Sequence, residues 1–277
     1  MSRIITDNLI EKYKIFLIEE EKSDATIEKY LYDVKVFADY TKQKEIVKEN
    51  VLNYKKYLVS KYAVRSVNSK LASLSSFFDF LGWTDLKVKN LKLQKQTYLS
   101  EDKELTKEEY YRLLDAAKNN HRLHLIIETI CSTGIRVSEL KYFTVESVKK
   151  GTIIVNCKNK TRNILVPRKL KDKILKFARQ HHILNGIVFR TRNNKPMNRS
   201  NIWSEMKKLC SIANVNSLKV FPHNLRKLFA RTFYSIEKDI AKLADILGHS
   251  TIDTTRIYIM SSGIEHRRKI EKLGLVV

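Results

Sequence analysis

An apolar period of three to four residues runs through most of this 277-residue chain and breaks in two stretches, 84–104 and 151–167. Such a period is typical of amphipathic helices, whose apolar residues form one stripe. The chain has only 7 glycines and 3 prolines, too few for an all-β protein rich in tight turns. We therefore predict a mainly α fold.

The first 95 residues are predicted to form an all-α bundle. Ser23 and Asp24 precede one apolar stripe and are candidate N-caps for its helix. Ser66 is the candidate N-cap of a later helix, which Gly82 is expected to end. The predicted helices cover 7–20, 23–40, 48–62 and 66–82.

Residues 96–103 are polar and charged and are predicted to link this bundle to a larger second domain, 104–277. Thr106 with Glu109 has the spacing of a capping box and marks the first helix of that domain. Further on, the helical period gives way to two short apolar runs, GTIIVNC and NILVP, separated by polar KNKTR. This pattern predicts a small antiparallel β-hairpin within a mostly helical domain.

The net charge of the chain indicates the kind of molecule that it binds. The chain has 53 basic and 30 acidic residues, a net charge of +23. The excess is concentrated: residues 149–195 carry 14 basic side chains and one acid, Asp172. A concentrated basic patch favours a polyanion, and nucleic acid is the usual one. An evenly solvated, lysine-rich surface is the alternative interpretation.

Several other classes of protein are disfavoured. No apolar run approaches the roughly 18 residues needed to span a bilayer, and the N-terminal segment lacks the apolar core of a secretory signal. Cys131, Cys157 and Cys210 have neither metal-ligand spacing nor an even number for disulfides. No cluster of carboxylates indicates a magnesium site. We expect a cytoplasmic protein that uses no metal or cofactor and has no membrane segment.

Three short motifs carry side chains suited to phosphodiester chemistry. They are TGIRVSEL (133–140), PHNLRKLFA (222–230) and LGHSTIDTTRIY (247–258). Arginines bind phosphate oxygens with two hydrogen bonds and stay charged, histidines move protons near neutral pH, and a tyrosine hydroxyl can act as nucleophile. Each motif alone is more often an ordinary surface or core element. The three together indicate one reaction at a DNA phosphate.

In order and spacing these motifs resemble those of the tyrosine recombinases, or phage integrase family, and the resemblance covers nearly the whole chain. It implies an N-terminal core-binding domain with a SAM-like helical bundle (1–95) and a catalytic domain (104–277). By position, the catalytic residues would be Arg136, Lys158, His223, Arg226, His249 and Tyr258. Glu139 would help to hold the site together. Lys160 competes with Lys158 as the hairpin lysine, because the hairpin spacing departs from the commonest pattern.

The resemblance also implies a mechanism and partners. Tyr258 would form a 3′-phosphotyrosine link while the lysine protonates the departing 5′ oxygen, without metal or ATP. A homo-tetramer would act on double-stranded DNA with inverted half-sites, through a Holliday junction. The C-terminal tail would dock on a neighbouring protomer, and the alternative is a helix folded back on its own domain. Integration, excision and resolution of a mobile element or replicon, and inversion, all stay open, as do accessory proteins. The alternatives are a DNA-binding protein that does not cut and a type IB topoisomerase.

Overall fold

The structure, a computed structural model, describes residues 3–42, 44–92, 104–157, 160–260 and 270–273, with only the backbone at 157 and 160. By its internal contacts the chain divides into two units, Met1–Lys95 and Gln96–Val277. Its described residues are mainly helical, with one small antiparallel sheet. This confirms the predicted fold class.

The first unit is a bundle of four helices followed by a short 3-10 turn, Thr84–Leu86. Each helix buries one apolar stripe in a shared core, as amphipathic helices do. Rings of Tyr13, Phe37 and Phe77 lie at the centre of this core, almost completely buried. The helices are α1 (Asp7–Glu19), α2 (Asp24–Tyr40), α3 (Lys48–Lys61) and α4 (Val64–Phe80).

The predicted start of α4 was wrong. The helix begins at Val64 with Ala63 as N-cap, so Ser66 lies inside the first turn. The amide nitrogens of Ser66 and Val67 already donate to the carbonyl of Ala63, at 2.8 and 3.0 Å. The carbonyl of Ala63 therefore accepts the first hydrogen bonds of the helix, and Ser66 lies too far along the chain to act as its N-cap. The predicted end is confirmed, since Gly82 takes a left-handed backbone just beyond the helix (φ 69°).

The second unit is larger and holds the hairpin. Thr106 and Glu109 form the predicted capping box at its first helix. Its helices are α5 (Lys107–Ala116), α6 (His121–Thr133), α7 (Val145–Lys150), α8 (Arg168–Gln180), α9 (Arg199–Ile212), α10 (Pro222–Ile236), α11 (Ile240–Leu247) and α12 (Ile252–Ile259). Short 3-10 helices, Val137–Tyr142 and Ser217–Lys219, precede α7 and α10.

The hairpin pairs β1 (Thr152–Cys157) with β2 (Lys160–Leu165), so the predicted hairpin is confirmed but its loop is shorter than predicted. Three of the five polar residues expected in the loop, 160–162, belong to β2, where Cys157 pairs with Lys160. Ile153, Val155 and Ile164 point into the domain core. Between α8 and α9 the chain is largely irregular.

One buried charge cluster stabilises the first unit. Asp33 is 4% exposed and accepts hydrogen bonds from Lys29 (2.7 Å), Lys70 (3.0 Å) and Ser73 (2.8 Å). Burial alone raises the pKa of Asp33, but these donors outweigh burial and hold it below its ordinary value of 3.8. The ionised carboxylate of Asp33 therefore stabilises the folded state.

Asp33→Asn should lower the free energy of unfolding of the first unit by about 1–3 kcal/mol at pH 7, because Lys70 loses its charged partner. A folded-state pKa below the unfolded value gives stability that is lost on acidification. The difference in free energy of unfolding between Asp33→Asn and wild type should therefore become smaller as the pH falls below 3.8.

Urea unfolding in a Trp203→Phe background would measure this, since only Trp83 of the first unit then reports. Asp39→Asn is the matched control, as Asp39 is an exposed residue on the same helix. Equal stability of Asp33→Asn and wild type at pH 7 would contradict the prediction.

Candidate functional site

Arg136 lies directly after α6 and is fixed by a buried carboxylate. Its Nη1 donates to Glu139 Oε1 at 3.2 Å and its backbone nitrogen to Oε2 at 2.7 Å. Nη2 donates to the carbonyl of Gly248 at 3.1 Å. The chain can turn here because Gly134 has φ 64°, and any Cβ at this position would lie 2.4 Å from the ring of Phe229.

Glu139 has a second cationic partner that sequence analysis missed. Arg162 of β2 donates to Glu139 Oε2 and to the carbonyl of Ile246 at the end of α11. Its side chain also packs on Gly248, where an added Cβ would lie 2.6 Å from Arg162 Cδ. Arg162 thus connects the hairpin to the loops that carry Arg136 and His249. No apolar pattern or motif spacing indicated this role.

Arg226 of α10 is 1% exposed, and backbone carbonyls hold its guanidinium. Nη1 donates to Gly134 and Nη2 to Leu247, both at 2.6 Å, and Nη2 lies 3.0 Å from His249 Nε2. Burial, and then the neighbouring charge of Arg136, lower the pKa of Arg226 to about 10. The side chain therefore stays cationic at neutral pH.

The contacts of His249 define its protonation state. A guanidinium can only donate, so Nε2 accepts from Arg226 and carries no proton. Nδ1 must then carry the proton and donate to Thr255 Oγ1, 2.8 Å away. Burial, and next the charge of Arg226, lower the pKa of His249 to about 4, consistent with a neutral ring. Thr255 is fully buried and was also missed from the sequence.

Tyr258 lies on α12 against both histidines and is 7% exposed. Its ring meets His223 and His249 edge to face, with centroids 5.0 and 4.7 Å apart. The guanidinium carbon of Arg226 lies 5.9 Å from the same ring centroid. The structure therefore brings Tyr258, His223, His249 and Arg226 together.

His223 lies on the first turn of α10, which Pro222 begins as predicted. Partial burial, and then the positive charges of Lys227 and Arg226, lower the pKa of His223 to about 4. Its imidazole is therefore neutral at pH 7 and can accept a proton.

A cleft of about 290 Å³ opens onto Arg136, His223 and Arg226. Its wall includes two residues that sequence analysis missed, Arg199 and Trp203 of α9. Arg199 adds to the positive charge around His223 and helps to lower the pKa of that histidine. The cleft is thus lined by three guanidinium groups, a suitable environment for a phosphate.

The structure does not place the side chain of either candidate hairpin lysine relative to this site. Lys158 lies outside the described residues, and for Lys160 only the backbone, in β2, is described. The assignment of the hairpin lysine stays a prediction. In the described part of the chain, no group of three or more His, Cys, Asp or Glu is placed to hold a metal ion. Among the described helices, none has the length and hydropathy of a transmembrane segment.

Solved structures show the same fold. A lambda integrase (75–356) dimer bound to a COC′ core site is 16% identical, with a TM-score of 0.72 over 95% of this chain and 97% of that one. A XerH site-specific recombinase bound to a difH substrate is 17% identical, with a TM-score of 0.71 over 96% of this chain and 84% of that one.

Curated relatives are similar over almost their full length. Tyrosine recombinase XerA of Thermococcus kodakarensis is 30% identical over 98% of this chain and 96% of its own. XerA of Pyrococcus furiosus is 27% identical over 99% of this chain and 96% of its own. Residues 10–85 match the phage integrase N-terminal SAM-like domain and residues 103–263 match the phage integrase family. The chain thus belongs to the phage integrase family, as an enzyme of the tyrosine recombinase type.

Proposed function

We propose that this enzyme is a site-specific DNA recombinase that cuts and rejoins strands through a 3′-phosphotyrosine intermediate. One observation carries the proposal: the Tyr258 ring lies against His223 and His249 and beside the Arg226 guanidinium. The guanidinium of Arg136 is held close to His249 by its hydrogen bond to the carbonyl of Gly248. A phenol next to two fixed guanidinium groups is an arrangement suited to attack on a phosphodiester.

The first step forms one bond and breaks one. Tyr258 Oη attacks phosphorus, and the bond from phosphorus to the 5′ oxygen breaks. The phenol proton passes to a neutral base, for which His223 is the candidate because its ring lies against that of Tyr258 and is uncharged at pH 7. The departing oxygen takes a proton from Lys158. Arg136 and Arg226 stabilise the negative charge on the non-bridging oxygens.

The second step reverses the first with a different strand. A 5′-hydroxyl of the partner duplex attacks the phosphotyrosine ester and releases Tyr258. Because the ester conserves the energy of the original phosphodiester, rejoining needs no ATP. Two such exchanges in sequence produce and then resolve a Holliday junction.

The assembly follows from this chemistry. Two duplexes carry four scissile strands, so four protomers are needed, one for each inverted half-site. The lambda integrase relative has been solved as a tetramer bound to a Holliday junction. We propose the same assembly here, with the C-terminal tail passing between protomers, and movement or resolution of a mobile element or replicon as the outcome. Residues 261–269 and 274–277 of that tail lie outside the described residues.

Tyr258→Phe should retain DNA binding and lose strand cleavage, because only the nucleophilic oxygen is removed. DNA bound covalently to the wild-type enzyme in cells can be sequenced to define the half-sites. A nicked suicide substrate made from them should then trap wild-type protein but not the variant.

Binding by wild type without any covalent adduct would support the non-cutting alternative and contradict the proposal. Plasmid products separate the remaining alternative, since a topoisomerase gives topoisomers alone and a recombinase gives deletions or inversions.

Replacing the bridging 5′ oxygen of the scissile phosphate with sulfur should identify the hairpin lysine. A thiol has a pKa of about 8.5, far below that of an alcohol, and leaves without a general acid. Lys158→Ala should cleave the ordinary substrate about 10²–10⁴-fold more slowly and recover on the sulfur substrate.

Lys160→Ala is the matched control and should cleave both substrates at similar rates. Recovery of Lys160→Ala instead would transfer the role to Lys160. If neither variant is slow on oxygen and rescued on sulfur, a general-acid role for the hairpin lysine is wrong.

Thr255→Val should slow cleavage by about 10- to 100-fold, because His249 loses the acceptor that keeps its proton on Nδ1. With the proton on Nε2, the ring could no longer accept from Arg226. Single-turnover trapping on the suicide substrate measures the rate, and nitrogen NMR of the imidazole reports the tautomer.

Thr255→Ser keeps the hydroxyl and should remain near wild type. Thr254→Val is the control on the same helix, because that hydroxyl bonds only Thr251 among the described contacts. An unchanged tautomer and rate in Thr255→Val would show that Thr255 does not position His249.

A further inference from the structure

The catalytic cleft has an apolar wall beside its three guanidinium groups. Its lining includes five apolar side chains, those of Ile135, Val137, Trp203, Phe221 and Pro222. Trp203 is the largest of them and is 47% exposed. Arginines account for the binding of a phosphate, but they do not account for a large aromatic ring left open to the cleft.

The ring of Trp203 is held in place by contacts with its own helix and with a neighbouring segment. Its Nε1 donates to the carbonyl of Val220 at 3.2 Å, and Lys207 Nζ lies 5.5 Å from the ring centroid. The bond to Val220 ties α9 to the segment that leads into α10, where Phe221 extends the wall as far as His223. The apolar wall is therefore built into the fold.

The covalent intermediate of the proposed reaction needs protection from water. In the second step a DNA 5′-hydroxyl attacks the phosphotyrosine ester, and water is the competing nucleophile. A group that accepts the proton of the 5′-hydroxyl can also accept one from water, and the arginines stabilise the same pentavalent phosphorus in both reactions. Acid–base chemistry therefore does not distinguish the two nucleophiles, and discrimination requires a site that excludes water.

Hydrolysis would end the reaction with a broken strand. The water oxygen would bond to phosphorus as the bond from phosphorus to Tyr258 Oη breaks. One water proton would pass to the tyrosine oxygen, and the other would stay on the DNA phosphate. The strand would then end in a 3′-phosphate, and the energy conserved in the ester would be lost.

We infer that Trp203 is a positioning residue that excludes water from the phosphotyrosine ester, so that the ester is transferred to DNA and not hydrolysed. The inference rests on the proposed function in taking a phosphotyrosine as the intermediate. Displacement of Tyr258 requires the incoming oxygen to lie opposite the tyrosine oxygen. The Tyr258 ring lies against His223 and His249 and is not among the described residues that line the cleft. The cleft, with Trp203 in its wall, is therefore the approach for the incoming oxygen.

The wall distinguishes the two nucleophiles by what they carry. A water molecule beside an indole ring gives up hydrogen bonds that the ring does not replace. A 5′-hydroxyl arrives attached to a deoxyribose, whose carbon atoms can pack on an aromatic face. Trp203 therefore raises the barrier to hydrolysis more than the barrier to ligation.

The fate of the trapped adduct tests the inference. Wild type and Trp203→Ala are trapped on the labelled nicked suicide substrate, and the adducts are then incubated with and without an acceptor strand that begins with a 5′-hydroxyl. Ligation gives a joined strand, whereas hydrolysis gives a labelled 3′-phosphate end. In water enriched in oxygen-18, mass spectrometry of that end should find one heavy oxygen in the phosphate.

Trp203→Ala should raise the ratio of hydrolysis to ligation by about 10-fold, a change of about 1.4 kcal/mol in the difference between the two barriers. Trp203→Phe keeps a ring in the wall but loses the donor to Val220, and its ratio should stay close to that of wild type. Ile212→Ala is the matched control, because Ile212 is an apolar residue on the same helix, 73% exposed and outside the cleft. Its ratio should equal that of wild type.

An unchanged ratio in Trp203→Ala overturns the inference. If this variant forms too little adduct to measure, Trp203→Leu decides by the same ratio, and a lack of adduct in both would place Trp203 in cleavage itself and overturn the inference. Equal increases in Trp203→Ala and Trp203→Phe would assign the effect to the bond with Val220 and also overturn it. A wild-type adduct with unchanged ratios in the variants contradicts only this inference, whereas the absence of any wild-type adduct contradicts the proposed function.

Discussion

The buried carboxylate of Glu139 is the contact on which the arrangement of the site depends. It is 2% exposed and bonds both Arg136 and Arg162, which come from separate parts of the chain. Breaking such a pair by removing one partner leaves an uncompensated buried charge, which is strongly destabilising. Glu139 therefore fixes the turn after α6, the second hairpin strand and the end of α11 with respect to one another.

Backbone carbonyls, and not Glu139, hold the guanidinium of Arg226. Arg226 is held by carbonyls of Gly134 and Leu247, so its position follows from the ends of two helices, α6 and α11. Both helices end at glycines with left-handed backbones, Gly134 and Gly248. A side chain at either glycine would collide with Phe229 or Arg162. The position of the Arg226 guanidinium is thus set by the backbone as much as by side chains.

The helical period, the capping box and the hairpin were predictable because each rests on local sequence. The motif spacing also predicted the residues that the fold brings around Tyr258. What could not be predicted depends on distant contacts. Arg162 interrupts the apolar pattern of β2 because its half-buried side chain pairs with Glu139, and this made residues 160–162 look like a loop. Nothing in the local sequence distinguishes Thr255 from other helical threonines, and only the folded structure brings its hydroxyl to His249.

The charge of the assembled site matches the reaction proposed for it. Arg136, Arg162 and Arg226 carry three positive charges and Glu139 carries one negative charge. The pKa values of His223 and His249, both about 4, leave the two imidazoles neutral at pH 7. The charge of these groups is therefore net positive, and Arg199 in the wall of the cleft adds to it. Attack of a tyrosine oxygen on a phosphodiester generates a pentavalent phosphorus with two negative charges, and a preorganised positive environment favours it over the singly charged ground state.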